Sequence, residues 1–93
     1  MVEITDQNRA RILVVEPHST LRLVLAQRLR QDGHLTAAAG SASEALELCQ
    51  EQQPDLLVGA ELLEETTALK LAAQLRCPAM VLTARTEIGR AHV

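Results

Sequence analysis

Ninety-three residues allow one small domain, and 47% apolar content without a single aromatic residue means its core must be filled by Leu, Ala, Val and Ile. A net charge of −3 supplies no basic surface for nucleic acid, and the apolar stretches are strand-length, too short to span a membrane. The opening MVEITDQNRAR is unlike a secretory leader, and Cys49 and Cys77 lack a CxxC or Cys/His cluster, so both are expected to be reduced structural thiols of a cytoplasmic protein.

Residues 1–10 read as a flexible leader. Arg11 to Val15 is a first strand, with Ile12 to Val15 continuously apolar and Glu16 at its end. Pro17 and Ser19/Thr20 stop the run. A helix from about Ser19 to Asp32 follows, capped by Ser19 or Thr20, with Leu21, Val24, Leu25 and Leu29 on its expected buried face. Arg22, Arg28 and Arg30 form its expected solvated side, and Gly33 supplies a left-handed stop. His34 to Ala39 is a second strand, weakened by its alanines. Ser41-Ala-Ser-Glu44 is a capping box in which Ser41 and Glu44 would satisfy each other's backbone donors. It opens a helix burying Ala42, Ala45, Leu46 and Cys49. Pro54 ends a Gln-rich turn, and Asp55 to Gly59 is a third, buried strand. Past the acidic loop Glu64 to Thr67 comes a helix carrying Ala68, Leu71, Ala72 and Leu75. Pro78 breaks it, and Ala79 to Thr83 is a fourth strand. Strands and helices alternating through short connections define an α/β fold, a doubly wound parallel sheet. Such sheets place their chemistry outside the carboxyl ends of the strands, where Glu16 stands.

The pattern stops after Ala84-Arg85, with no helix or further strand beyond the fourth. Residues 87–93, Glu87 to Val93, match the in-frame translation of a common short-read sequencing adaptor whose next codon is a stop. They are expected to be a read-through tail.

With four strands placed, residues 11–86 resemble the receiver domain of bacterial two-component response regulators. Ile12-Leu-Val-Val-Glu-Pro-His-Ser-Thr-Leu-Arg22 is similar to the family's first strand, acidic pair and first helix. Gly33, Ser43-Glu44-Ala45-Leu46, Pro54-Asp55-Leu-Leu-Val58 and Pro78-Ala-Met-Val-Leu-Thr-Ala-Arg85 follow in the family's order and spacing. The resemblance implies a flavodoxin-like sheet, truncated here after the fourth strand, so that the fifth strand and helix are lacking. It also implies a reaction. An aspartate ending strand three takes a phosphoryl group from a phosphohistidine of a sensor kinase. Acids ending strand one help hold Mg²⁺, a Thr or Ser ending strand four contacts the phosphoryl group, and a Lys ending strand five pairs with it. In-line transfer to a carboxylate needs such cations to absorb the developing charge.

This chain departs from that pattern. Glu16 keeps one acid as a metal ligand, but Pro17 holds the second acidic position and offers no side-chain oxygen. The acceptor position falls on Ala60, whose methyl cannot take a phosphoryl group. Leu63-Glu64-Glu65 replaces the expected Met-Pro-Gly loop, Thr83 retains the hydroxyl, and the only lysine, Lys70, lies on the third helix. Glu61, one residue past Ala60, is the substitute acceptor to weigh, against a solvated loop carboxylate. Asp55 is about 17 Å away, at the far end of the strand. His18 reads as a turn residue, and Glu64-Glu65 as acids favouring a helix N-terminus. The reading is a degenerate receiver, not an enzyme and without a resident cofactor, acting through contacts with a sensor histidine kinase or by self-association. A DNA-binding output domain would follow it in a transcriptional regulator. The alternative is a residual phosphoacceptor using Glu61 with Mg²⁺. A dinucleotide-binding fragment is a poor third reading, because the first strand–helix turn, Glu16-Pro-His-Ser-Thr20, has no GxGxxG.

Overall fold

The computed structural model describes residues 10–82. The readings of Thr83, of the leader before Ala10 and of the tail 87–93 lie outside the described residues. The chain runs β1 (Arg11–Val15), α1 (Ser19–Gln31), β2 (Leu35–Ala39), α2 (Ala42–Leu48), β3 (Leu56–Ala60), α3 (Ala68–Leu75) and β4 (Ala79–Leu82). All strand pairs are parallel, in the order β2-β1-β3-β4. The chain therefore winds outward from β1 to β2, then returns past β1 to β3 and β4. That reversal puts α1 on one face and α2 and α3 on the other. On the α1 side Ile12, Val14 and Val58 pack with Leu25 and Leu29. On the opposite side Leu13, Val15, Leu57, Leu71 and Leu75 join the small residues Ala42, Ala45, Ala68 and Ala72. β1 is covered on both faces, which is why it reads as an unbroken apolar run.

Two helix starts differ from the sequence reading. α1 is capped by His18, whose Nδ1 accepts from the Leu21 N–H at 3.3 Å, not by Ser19 or Thr20. His18 is the last extended residue after Pro17, so Ser19 is already helical. At α2, Ser41 Oγ accepts from the Glu44 N–H at 3.1 Å as expected, but the Glu44 carboxylate reaches the Gly40 N–H, at 2.7 Å, one residue upstream of the expected donor. Ser41 itself has the extended backbone usual for an N-cap. Replacing Ser41 by Ala should destabilise the domain by about 1 kcal/mol. A thermal melt should show this as a midpoint lowered by roughly 4–8 °C.

The buried face of α1 also differs. Ala26 is buried and Leu25 and Leu29 are half-buried, whereas Leu21 and Val24 are 43% and 54% exposed. The stripe against the sheet starts at Arg22 and continues through Leu25, Ala26 and Leu29, at i, i+3, i+4 and i+7. Leu21 and Val24 fall on its flank. Of the three arginines, Arg28 pairs with Asp32 on the surface at 3.5 Å. Arg30 instead donates from Nη2 to the Thr36 carbonyl of β2 at 3.1 Å.

The remaining punctuation follows the sequence. Gly33 ends α1 with φ +95°, a conformation that glycine adopts without strain. Thr67 caps α3, its Oγ1 accepting from the Lys70 N–H at 3.2 Å. Glu64 and Glu65 precede that cap and lie outside the first turn of the helix. Gly59 lets α3 sit directly on β3, since a Cβ there would lie 3.2 Å from the Val15 carbonyl oxygen and 3.3 Å from Ala68 Cβ. Among the described residues no helix is long and apolar enough to cross a membrane.

Candidate functional site

The reversal of strand order between β2 and β3 leaves the carboxyl ends of β1 and β3 side by side, where a crevice forms in open α/β sheets. Register pairs Val15 with Gly59 and Ala60 with Leu82, so Glu16 and Ala60 stand level at adjacent strand ends. The backbone thus brings together the first acid and the acceptor position. Glu61 follows immediately and is half-buried; its N–H donates to the Leu82 carbonyl at 3.0 Å and its carbonyl accepts from the Ala68 N–H at 3.4 Å. Asp55 lies at the other end of β3, where its Oδ2 accepts from the Arg11 N–H at 2.7 Å.

Glu16 is the one buried charged side chain among the described residues, 7% exposed. Its N–H donates to the Ala39 carbonyl at 3.0 Å, carrying the β1–β2 ladder one residue past the strand. Its Oε2 accepts from the His18 N–H at 2.8 Å, holding the carboxylate back over the turn into α1. Sequence reasoning missed the next component. Arg22 is half-buried and reaches from α1 to the strand end, donating from Nη1 to the Glu16 carbonyl at 2.8 Å and the Pro17 carbonyl at 3.3 Å. The same nitrogen lies 2.8 Å from where a Cβ on Gly40 would be, so a side chain there would displace the guanidinium. The spacing Arg22, Leu25, Leu29 was the available signal, since it puts Arg22 on the sheet-facing stripe and not on the solvated side.

A divalent cation of the Mg²⁺ type takes hard oxygen ligands, with one or two carboxylates among them. Here the donor set does not fit. Glu16 contributes one carboxylate already engaged by a backbone N–H, Pro17 has no side-chain oxygen, and Ala60 presents a methyl that packs toward the α2–α3 core. Among the described residues no three His, Cys, Asp or Glu side chains converge to hold a metal. The site carries a buried carboxylate and a guanidinium fixed on backbone carbonyls, with no nucleophile at the acceptor position.

Cys49 and Cys77 are free thiols, half-buried against the α2–α3 core. Burial pushes both thiols up from their usual value, and the neighbouring Cys77 raises Cys49 further. Both are therefore thiols near neutral pH, as structural cysteines are.

No protein-family model matches the chain. It is similar to the transcriptional regulatory protein AfsQ1 of Streptomyces coelicolor, 31% identical over 80 residues that cover 82% of this chain and 36% of that protein. It is 35% identical over 86 residues to the DNA-binding response regulator MtrA of Mycolicibacterium smegmatis, covering 88% of this chain and 38% of MtrA. The chain thus spans somewhat over a third of the length of these curated relatives. Among solved structures, the non-phosphorylated HemR receiver domain of Leptospira biflexa is 30% identical with a TM-score of 0.70, over 90% of this chain and 73% of that one. The chain belongs to the receiver-domain family of two-component response regulators.

Proposed function

We propose that this receiver passes its signal through protein–protein contacts, without phosphorylation at the family's acceptor position. The observation that supports this reading is Ala60: the residue level with Glu16 at the end of β3 has no oxygen to accept a phosphoryl group. Pro17 removes a metal ligand from the same crevice. A cytoplasmic sensor histidine kinase, or a second copy of the chain, is the partner this reading requires. The family and its regulatory relatives point to an output domain that binds DNA, beyond the portion of the relatives that this chain spans.

The test is incubation with acetyl phosphate and Mg²⁺, with covalent phosphate read by intact mass. The expected result is no incorporation. Stoichiometric incorporation overturns the reading. Its loss in a Glu61→Gln variant would then assign the acceptor to Glu61, together with Glu16 and Thr83.

A further inference from the structure

The opposite end of the sheet carries a second concavity, away from the carboxyl ends of the strands. Its origin lies in a mismatch of element lengths. α2 has seven residues, about 10 Å of helix. The neighbouring β2 has five, about 16 Å of strand. The helix is therefore about 6 Å shorter than the strand it covers. Alanines in that strand supply little bulk to fill the space. The result is a cleft of about 230 Å³ between the amino ends of β1 and β2 and the C-terminal end of α2.

The cleft is lined mostly by apolar side chains, with Arg11 as the one charged residue of its lining. Leu13 and Ala37, paired in register, form its floor, and Leu35, Leu48 and Pro54 form its walls. Leu35 and Leu48 are 39% and 43% exposed, large side chains left facing water along the cleft. Arg11 and Gln52, both exposed, also line it, each with side-chain donors. No carboxylate pairs with the Arg11 guanidinium among the described residues: Asp55 turns its Oδ2 to the Arg11 backbone N–H instead. The volume is below the ~300–1,000 Å³ usual for cofactor-sized ligands and matches a smaller one. At about 30 Å³ per water-sized group it takes a chain of roughly six to eight carbons.

We propose that this cleft binds a small aliphatic monocarboxylate, its chain lying against Leu35, Ala37 and Leu48 and its carboxylate paired with Arg11. A guanidinium that no carboxylate among the described residues pairs with, beside an apolar groove, is complementary to that chemistry, and a neutral chain leaves it unanswered.

Cys49 lines the cleft and Cys77 does not, so the two thiols give a signal and an internal control. Octanoate and 1-octanol serve as probes, and the readout is the alkylation rate of each cysteine by iodoacetamide, site by site in mass spectrometry. At a concentration ten times its dissociation constant, octanoate should slow Cys49 alkylation about tenfold by mass action and leave Cys77 unchanged. Octanol should protect much less. Arg11→Gln should abolish the advantage of octanoate over octanol, and Ala37→Leu, which fills the floor, should abolish protection by either. No protection of Cys49 at millimolar octanoate overturns the site. Equal protection by octanol overturns recognition of the carboxylate, and equal slowing of both cysteines shows a nonspecific effect, which also overturns the proposal.

Discussion

A chain carrying Pro17→Asp together with Ala60→Asp is expected to bind Mg²⁺ at least about tenfold more tightly than the wild type, a difference of about 1.4 kcal/mol. It is also expected to take phosphate from acetyl phosphate, which on the proposed function the wild type does not. Glu16 and position 60 already stand level at neighbouring strand ends, and position 17 opens the turn into α1, so the two changes would gather three carboxylates around one crevice. Neither replacement removes a buried contact of size, since Pro17 is exposed and Ala60 adds one half-buried methyl at the edge of the α2–α3 core, so the carboxylate introduced at position 60 has to turn from that core to the strand end. Arg22 holds the carbonyl of residue 17 and does not depend on a proline there. Titration calorimetry with Mg²⁺ measures the first effect and intact mass the second. Ala60→Asp alone should give a smaller gain in affinity, because two carboxylates in place of three face the ion. No gain in the double variant would mean that the strand ends do not form a receiver-type crevice, and metal binding here would then need more than two side chains.

The order of elements was legible because its signals are local. Apolar runs bounded by Pro17, Gly33, Pro54 and Pro78 mark strands and turns whatever packs on them. A parallel arrangement follows from their alternation with helical stretches, and the level placement of Glu16 and Ala60 then follows from topology. What escaped the sequence reading depends on reach across the fold. His18 caps α1 because the chain is still extended after Pro17, a matter of backbone path that residue type does not express. Arg22 was assigned to solvent from its charge, although its spacing from Leu25 and Leu29 set it on the sheet side; a long side chain can bury its stem and still satisfy its head on backbone carbonyls. The cleft beside Arg11 was illegible for a third reason. It exists because a short helix and an alanine-rich strand fail to match in length, and neither segment shows that alone.

Leu57→Ala is expected to destabilise the domain by about 2–5 kcal/mol, the usual range for emptying a buried leucine site. Leu57 is fully buried on β3, a central strand, in the larger core cluster with Leu13, Leu71 and Leu75. Small domains sit near the low end of the ~5–15 kcal/mol that folded proteins have, so this single change could remove much of the total. The absence of aromatic side chains sharpens the effect. The core around Leu57 is built of leucines, valines and alanines, and the alanines have no side-chain length with which to close a cavity. Leu23→Ala is the matched control: Leu23 is 55% exposed on α1, and its truncation should change stability by no more than about 0.5 kcal/mol. Urea denaturation separates the two. With a slope near ~1 kcal/mol per molar, the Leu57→Ala midpoint should fall by about 2 M or more while the Leu23→Ala midpoint barely moves. Equal shifts in both variants would show that the α2–α3 side of the sheet does not hold the fold together, and stability would then have to be sought on the α1 side around Val14 and Val58.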